Sequence, residues 1–177
     1  DGAGWRDVTP KGLDKDLYAV VALPDGWLAA GRDGTIVEGR PGAWRVRAEA
    51  RPMLLRAGTP NAPSLYAAAV RGDGSIVVGG QDSALLLRAP GGALTHFPQP
   101  VEGTVVALAS SGDALLASLS PNAEKFRGER PAAQRGTVMA YRDGRWADVG
   151  LSRRGRGGVA VEFVVGDHRR RAPPREH

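Results

Sequence analysis

The chain has 177 residues, with 24 Lys and Arg against 19 Asp and Glu, a net charge of +5 and no cysteine. That length suits one domain. The missing thiols exclude disulfides, thiolate metal sites and cysteine nucleophiles, and no stretch approaches the ~20 apolar residues of a membrane helix. Residues 153–177 hold seven Arg and three acids, leaving 17 basic and 16 acidic residues elsewhere, so the body lacks the basic surface of a nucleic-acid binder.

The chain opens on Asp1-Gly2-Ala3-Gly4-Trp5, which reads as the middle of a repeat, so a processed protein or a fragment is expected. Residues 5–8 read as an outer strand. The apolar run Leu17-Tyr18-Ala19-Val20-Val21-Ala22-Leu23 predicts a strand buried on both faces. Pro24-Asp25-Gly26 predicts a turn, because Pro presets φ and Gly accepts φ > 0. Trp27 to Gly31 is the second strand, Arg32-Asp33-Gly34 a turn, Thr35 to Gly39 the third strand and Pro41-Gly42 another turn. Ala43 to Ala48 alternates as an outer strand with one wet face should. These elements form a unit at residues 17–48.

A second unit spans residues 65–97. Leu65-Tyr66-Ala67 lies 48 residues after Leu17-Tyr18-Ala19, whereas Gly80 and Asp82 lie 49 after Gly31 and Asp33. One residue is therefore inserted, expected as a bulge. A third unit spans residues 105–150. Its strands at 105–108 and 114–117 are followed by an insertion of about 18 residues before Thr137. Residues 159–165 read as the inner strand of a further unit. Residues 168–177 are Arg- and Pro-rich and read as a disordered tail. No segment predicts a convincing helix.

Gly34-Thr35-Ile36-Val37-Glu38-Gly39-Arg40-Pro41-Gly42-Ala43-Trp44 aligns without a gap on Gly136-Thr137-Val138-Met139-Ala140-Tyr141-Arg142-Asp143-Gly144-Arg145-Trp146. A period of roughly 40–50 residues made of short strands predicts an all-β fold, a β-propeller of about three complete four-stranded blades plus flanking strands. Three blades do not close a ring, so a second copy or further blades are expected to complete it. Trp5, Trp44 and Trp146 recur at one place in the repeat. They are expected to cover the gaps between blades rather than to form a ligand platform.

These segments resemble the repeats of photosystem II stability/assembly factor-like propellers and are similar to neuraminidase-type repeats of exported bacterial proteins. The resemblance covers roughly residues 1–167. It implies a propeller scaffold in an extracytoplasmic setting, periplasmic or secreted. The turns Arg40-Pro41-Gly42-Ala43-Trp44 and Arg142-Asp143-Gly144-Arg145-Trp146 lack the Ser of a neuraminidase Asp box and carry one residue fewer before Trp. Sialidase catalytic residues therefore do not transfer.

No residue pattern here calls for a catalytic, cofactor or metal site. His96, His168 and His177 have no metal-ligand spacing, and the recurrent Asp residues sit in turns, where they bond nearby backbone N–H groups. Loop length is more informative. The connections at 9–16, 49–64, 98–103 and 118–136 are long and emerge on one face of a propeller, whereas tight Gly turns occupy the other. Binding usually lives in long loops on a rigid scaffold. The expected contacts to a partner are Arg51, Arg56, Asn61, Lys125, Arg127 and Arg130, since Arg combines charge with planar, multidentate donors. The reading is a non-catalytic module that binds a protein or glycan through its long-loop face. The alternative is a fragment of a sialidase- or lyase-like enzyme whose catalytic residues lie in blades missing here.

Overall fold

The computed structural model describes residues 4, 7–100, 102–111, 114–120 and 136–149. They form three four-stranded antiparallel meanders. The first contains β1 (Leu17–Leu23), β2 (Gly26–Gly31), β3 (Ile36–Arg40) and β4 (Ala43–Val46). A short helix, α1 (Ala50–Leu54), leads to the second, which holds β5 (Leu65–Val70), β6 (Ile76–Gly80), β7 (Leu85–Arg88) and β8 (Leu94–His96). The third holds β9 (Thr104–Ser111), β10 (Ala114–Ser120), β11 (Thr137–Arg142) and β12 (Arg145–Asp148). Strand order follows chain order in each sheet, and the inner strands β1, β5 and β9 contact one another in sequence. Three blades fanned about their inner strands make a partial β-propeller.

The middle blade is sandwiched. Its Ile76, Val78 and Leu86 share one core with Leu28, Ala30 and Ile36 of the first blade. Its Ala67, Val77 and Leu85 share another with Val105, Leu115 and Leu119 of the third. Strand alternation makes this possible, since successive side chains point to opposite faces. Small residues let blades approach closely. A Cβ on Gly79 would fall 2.8 Å from Leu85 and 2.9 Å from Val105.

Several expectations are corrected. β1 is not buried on both faces: Tyr18 and Val20 are exposed, Val20 by 63%, because no described blade packs on the far side of the first sheet. Asp7 and Val8 join no strand. Asp7 instead accepts the Thr9 N–H at 2.8 Å, which turns the chain locally. Residues 118–120 continue β10 rather than opening the insertion, for Ser118 and Leu119 pair with Val138 and Thr137. The inserted residue of the second blade lies in the β5–β6 turn: Val70 pairs with Ile76, whereas Leu23 pairs directly with Gly26. α1 was unexpected. Its Pro52 sits in the first turn, where a missing N–H is tolerated, and Ala50 and Leu54, four apart, are buried together. Trp5, the rest of the insertion, the expected strand at 159–165 and the tail lie outside the described residues.

Trp146 takes the gap-covering place expected of it. Its ring lies 6.3 Å from Phe97, edge to face, and its indole N–H donates to the Pro98 carbonyl at 2.8 Å, both in or just after the second blade. Tyr141 completes the cluster, 4.7 Å from Phe97. Trp146→Phe keeps an aromatic ring against Phe97 and Tyr141, trims part of the packing and removes the hydrogen bond. The expected loss is about 1 kcal/mol, read as a shifted denaturant midpoint with unchanged slope.

Candidate functional site

The connector at residues 47–64 crosses from β4 to β5 on the long-loop face and lies over the junction of the first two blades. Two equivalent turns hold it. After β2 and after β6 the chain makes a single 3-10 turn, in which Asp33 (φ 56°) and Asp82 (φ 54°) adopt the left-handed conformation. Asp tolerates that region better than most residues. Asp33 accepts the Ala62 N–H at 2.7 Å and the Arg51 Nε–H at 3.0 Å. Arg56 donates to the Asp82 carbonyl at 2.9 Å, with its guanidinium 3.9 Å from the Asp82 carboxylate. One connector thus supplies one Arg to each blade.

Burial pushes the Asp33 carboxyl up, but the hydrogen bonds from Ala62 and Arg51 and the Arg51 and Lys15 charges outweigh it, so its pKa lies below the ordinary Asp value. The sequence reading assigned such Asp residues to local turn bonds. That holds for Asp73, which accepts the Ser75 N–H at 2.9 Å. Asp33 instead reaches a residue 29 positions away and ties blade to connector. Asp33→Ala loses these bonds and must hold φ > 0 with a Cβ. We expect a cost of about 2 kcal/mol, with Asp33→Gly less destabilising because Gly accepts that φ freely. Thermal melting of the two variants checks this.

Of the expected contact residues, Arg51, Arg56 and Asn61 come together on the connector. Arg51 also donates to the Pro60 carbonyl at 3.1 Å. The Arg51 and Arg56 side chains remain 46% and 56% exposed, and Asn61 is exposed. Beside them Leu55 is 38% exposed. Both guanidiniums are pre-oriented by internal bonds, which lowers the ordering cost of binding. Lys125, Arg127 and Arg130 lie outside the described residues.

The tight-turn face carries features the sequence did not reveal. Two open depressions of about 530 Å³ and 460 Å³ lie there between the first two blades. They share Glu38 and Arg88. Glu38 accepts from Arg47 at 2.6 Å and from Arg88, and Arg47 also bonds Glu49 and the Gly92 carbonyl. The walls are therefore largely committed to one another, a pattern of inter-blade attachment more than of ligand capture. Among the described residues no group of three His, Cys, Asp or Glu is placed to hold a metal ion, and no helix is long and apolar enough to cross a membrane.

No protein-family model matches the chain, and no curated protein sequence matches it. Among solved structures it is similar to the WD40 β-propeller domain of Doa1, with 17% identity and a TM-score of 0.49 over 78% of this chain and 42% of that one. The chain therefore spans less than half of that domain.

Proposed function

We propose that this protein is a non-catalytic propeller module that binds a protein or glycan partner through its long-loop face. The observation that carries the reading is the braced connector: two rigid blades hold one loop, and the loop presents Arg51, Arg56, Asn61 and Leu55 outward. The repeat signatures favour a scaffold of the photosystem II assembly-factor kind, acting outside the cytoplasm, with its ring completed by further blades or a second copy. Lys125, Arg127 and Arg130 are proposed for the same face on the sequence reading alone.

The test is a binding screen against extracytoplasmic proteins and glycans of the host, followed by substitutions. Arg56→Ala with Asn61→Ala is expected to weaken the partner at least tenfold, with a stability loss no larger than the roughly 1 kcal/mol of the one exposed hydrogen bond from Arg56 to Asp82. Asp25→Ala and Asp143→Ala, on the tight-turn face, are expected to leave affinity unchanged. The reverse pattern overturns the assignment.

A further inference from the structure

Each inner strand carries one irregularity, at the same place. In β1 the register shifts between Leu17 and Ala19, in β5 between Leu65 and Ala67, and in β9 between Val105 and Ala107. The extra residues are Tyr18, Tyr66 and Val106. The burial pattern of β5 shows the consequence. Leu65 and Ala68 both pack toward the first blade, and Ala67 and Ala69 both toward the third. Residues three apart share a face, so the alternation changes phase at Tyr66. The extra residue is left unpaired in the ladder, at a point where the strand bends and its twist increases. The open edge of an inner strand faces the space at the centre of the fan.

Tyr18 and the half-buried Tyr66 hold the extra-residue position on the neighbouring inner strands β1 and β5, and their rings meet. Their ring centroids are 5.3 Å apart and tilted by 45°. Tyr18 is 47% exposed, and Val106, at the third equivalent position, 46%. The Tyr18 hydroxyl donates to Asp16 Oδ2 at 3.5 Å. Asp16 immediately precedes β1 at the long-loop end, and its ion pair with Arg32, at 3.9 Å, is two-thirds exposed on both sides, so that pair is weak and readily exchanged.

A pair of electron-rich rings, one of them beside an exposed carboxylate, suits a cation with an apolar stem. We propose that Tyr18, Tyr66 and Asp16 form a subsite for an arginine side chain of a partner polypeptide, at the mouth of the central space. The planar guanidinium stacks on a tyrosine face and hydrogen-bonds the Asp16 carboxylate at once, which an ammonium does less well. This rests on the reading that the long-loop face binds a partner, and narrows it to a protein.

The chain has three tyrosines, so tyrosine-selective isotope labelling of the full chain gives three ring signals. Tyr141 packs against the core between the second and third blades and serves as an internal control. The probes are acetyl-Gly-Arg-Gly-amide and its neutral citrulline counterpart. Tyr18 and Tyr66 signals are expected to shift together and saturate with the arginine peptide, with Tyr141 unmoved. The citrulline peptide should bind at least about fivefold more weakly, as should the arginine peptide to Tyr18→Leu, while Tyr18→Phe retains it. Asp16→Asn weakens the arginine peptide and not the citrulline one. Equal shifts with citrulline, or full binding by Tyr18→Leu, overturn the proposal. So does a chito-oligosaccharide that moves both rings when the arginine peptide does not. If the peptide fails while Arg56→Ala with Asn61→Ala still loses the screened partner, the subsite is wrong and the face reading stands.

Discussion

Glu38→Ala is expected to destabilise the protein by about 3 kcal/mol, because it removes the carboxylate shared by two largely buried guanidiniums between blades, leaving Arg88 only backbone carbonyls while Arg47 keeps Glu49. Arg47 is only 7% exposed and Arg88 15%, and both bond Glu38. Arg88 keeps the Ala89 and Pro90 carbonyls at 3.2 Å, but its Nε is already buried with no hydrogen-bond partner among the described residues. A domain of this size is stable by roughly 5–15 kcal/mol, and the loss would therefore consume a large share of it. Breaking a buried pair costs much more than replacing it. The double variant Glu38→Met with Arg88→Met should accordingly recover part of the loss, an interaction energy that a double-mutant cycle isolates. A measured loss for Glu38→Ala below about 1 kcal/mol would mean that the cluster is screened by water like a surface pair.

The same cluster sets a pH dependence. Burial raises the Glu38 pKa, but hydrogen bonds and charge from Arg88 and Arg47 outweigh it, so the folded value lies below the ordinary one. The unfolded chain then takes up the proton first as pH falls. Glu38 contributes its full stability above the unfolded pKa and loses it as pH drops through the folded one. Asp33 and Asp73 are lowered too and act in the same direction. Equilibrium unfolding from pH 7 down to pH 3 should show falling stability, with a shallower acid limb in Glu38→Gln.

The strands were legible because their cues are local. Gly and Pro mark the turns, β-branched and apolar runs mark the strands, and the Gly-Thr to Trp spacing repeats. Which side of a strand faces the core was less legible. Trp44-Arg45-Val46-Arg47 alternates, and the sequence reads Arg47 as wet and Val46 as dry. The structure inverts this: Val46 is 51% exposed and Arg47 is buried. Position 47 corresponds to Phe97 and Val149 in the other blades, all three donating a backbone N–H back to the third strand of their own blade. An Arg is accepted there because Glu38, Glu49 and Gly92 satisfy it, and those partners lie up to 45 residues away. The site was legible only as loop length. That Arg51 and Arg56 reach the turns at Asp33 and Asp82 depends on how two blades dock, which no local pattern carries. The bulges at Tyr18, Tyr66 and Val106 were equally hidden, since a one-residue phase change inside an apolar run leaves no compositional trace.

The isolated chain is expected to self-associate through the open sides of its outer blades, unless further blades cover them. The middle blade shows what a covered face looks like. Ala67 and Ala69 are each 6% exposed, and Ile76, Val78 and Leu86 are fully buried. Part of the corresponding surface elsewhere is open: Ala107 and Ala109 of the third blade are exposed, and on the first blade Val20 is 63% and Trp27 45% exposed, although Ala29 and Val37, the counterparts of Val78 and Leu86, are buried. Trp44 points to the same missing neighbour. Trp146, its counterpart, donates its indole N–H to a carbonyl next to the preceding blade, whereas the buried Trp44 N–H has no acceptor among the described residues. Apolar surface of this extent on a monomer marks an interface. Sedimentation velocity over a hundredfold concentration range should show dimers or larger species. Val20→Thr with Trp27→Ser should shift the distribution toward monomer, and Ala107→Glu should block association through the other side. Neither substitution touches the junctions of the middle blade, so the melting temperature measured at low concentration should change little. A monomer at every concentration, unaffected by these changes, would show that the two faces are tolerated in water and need no neighbour.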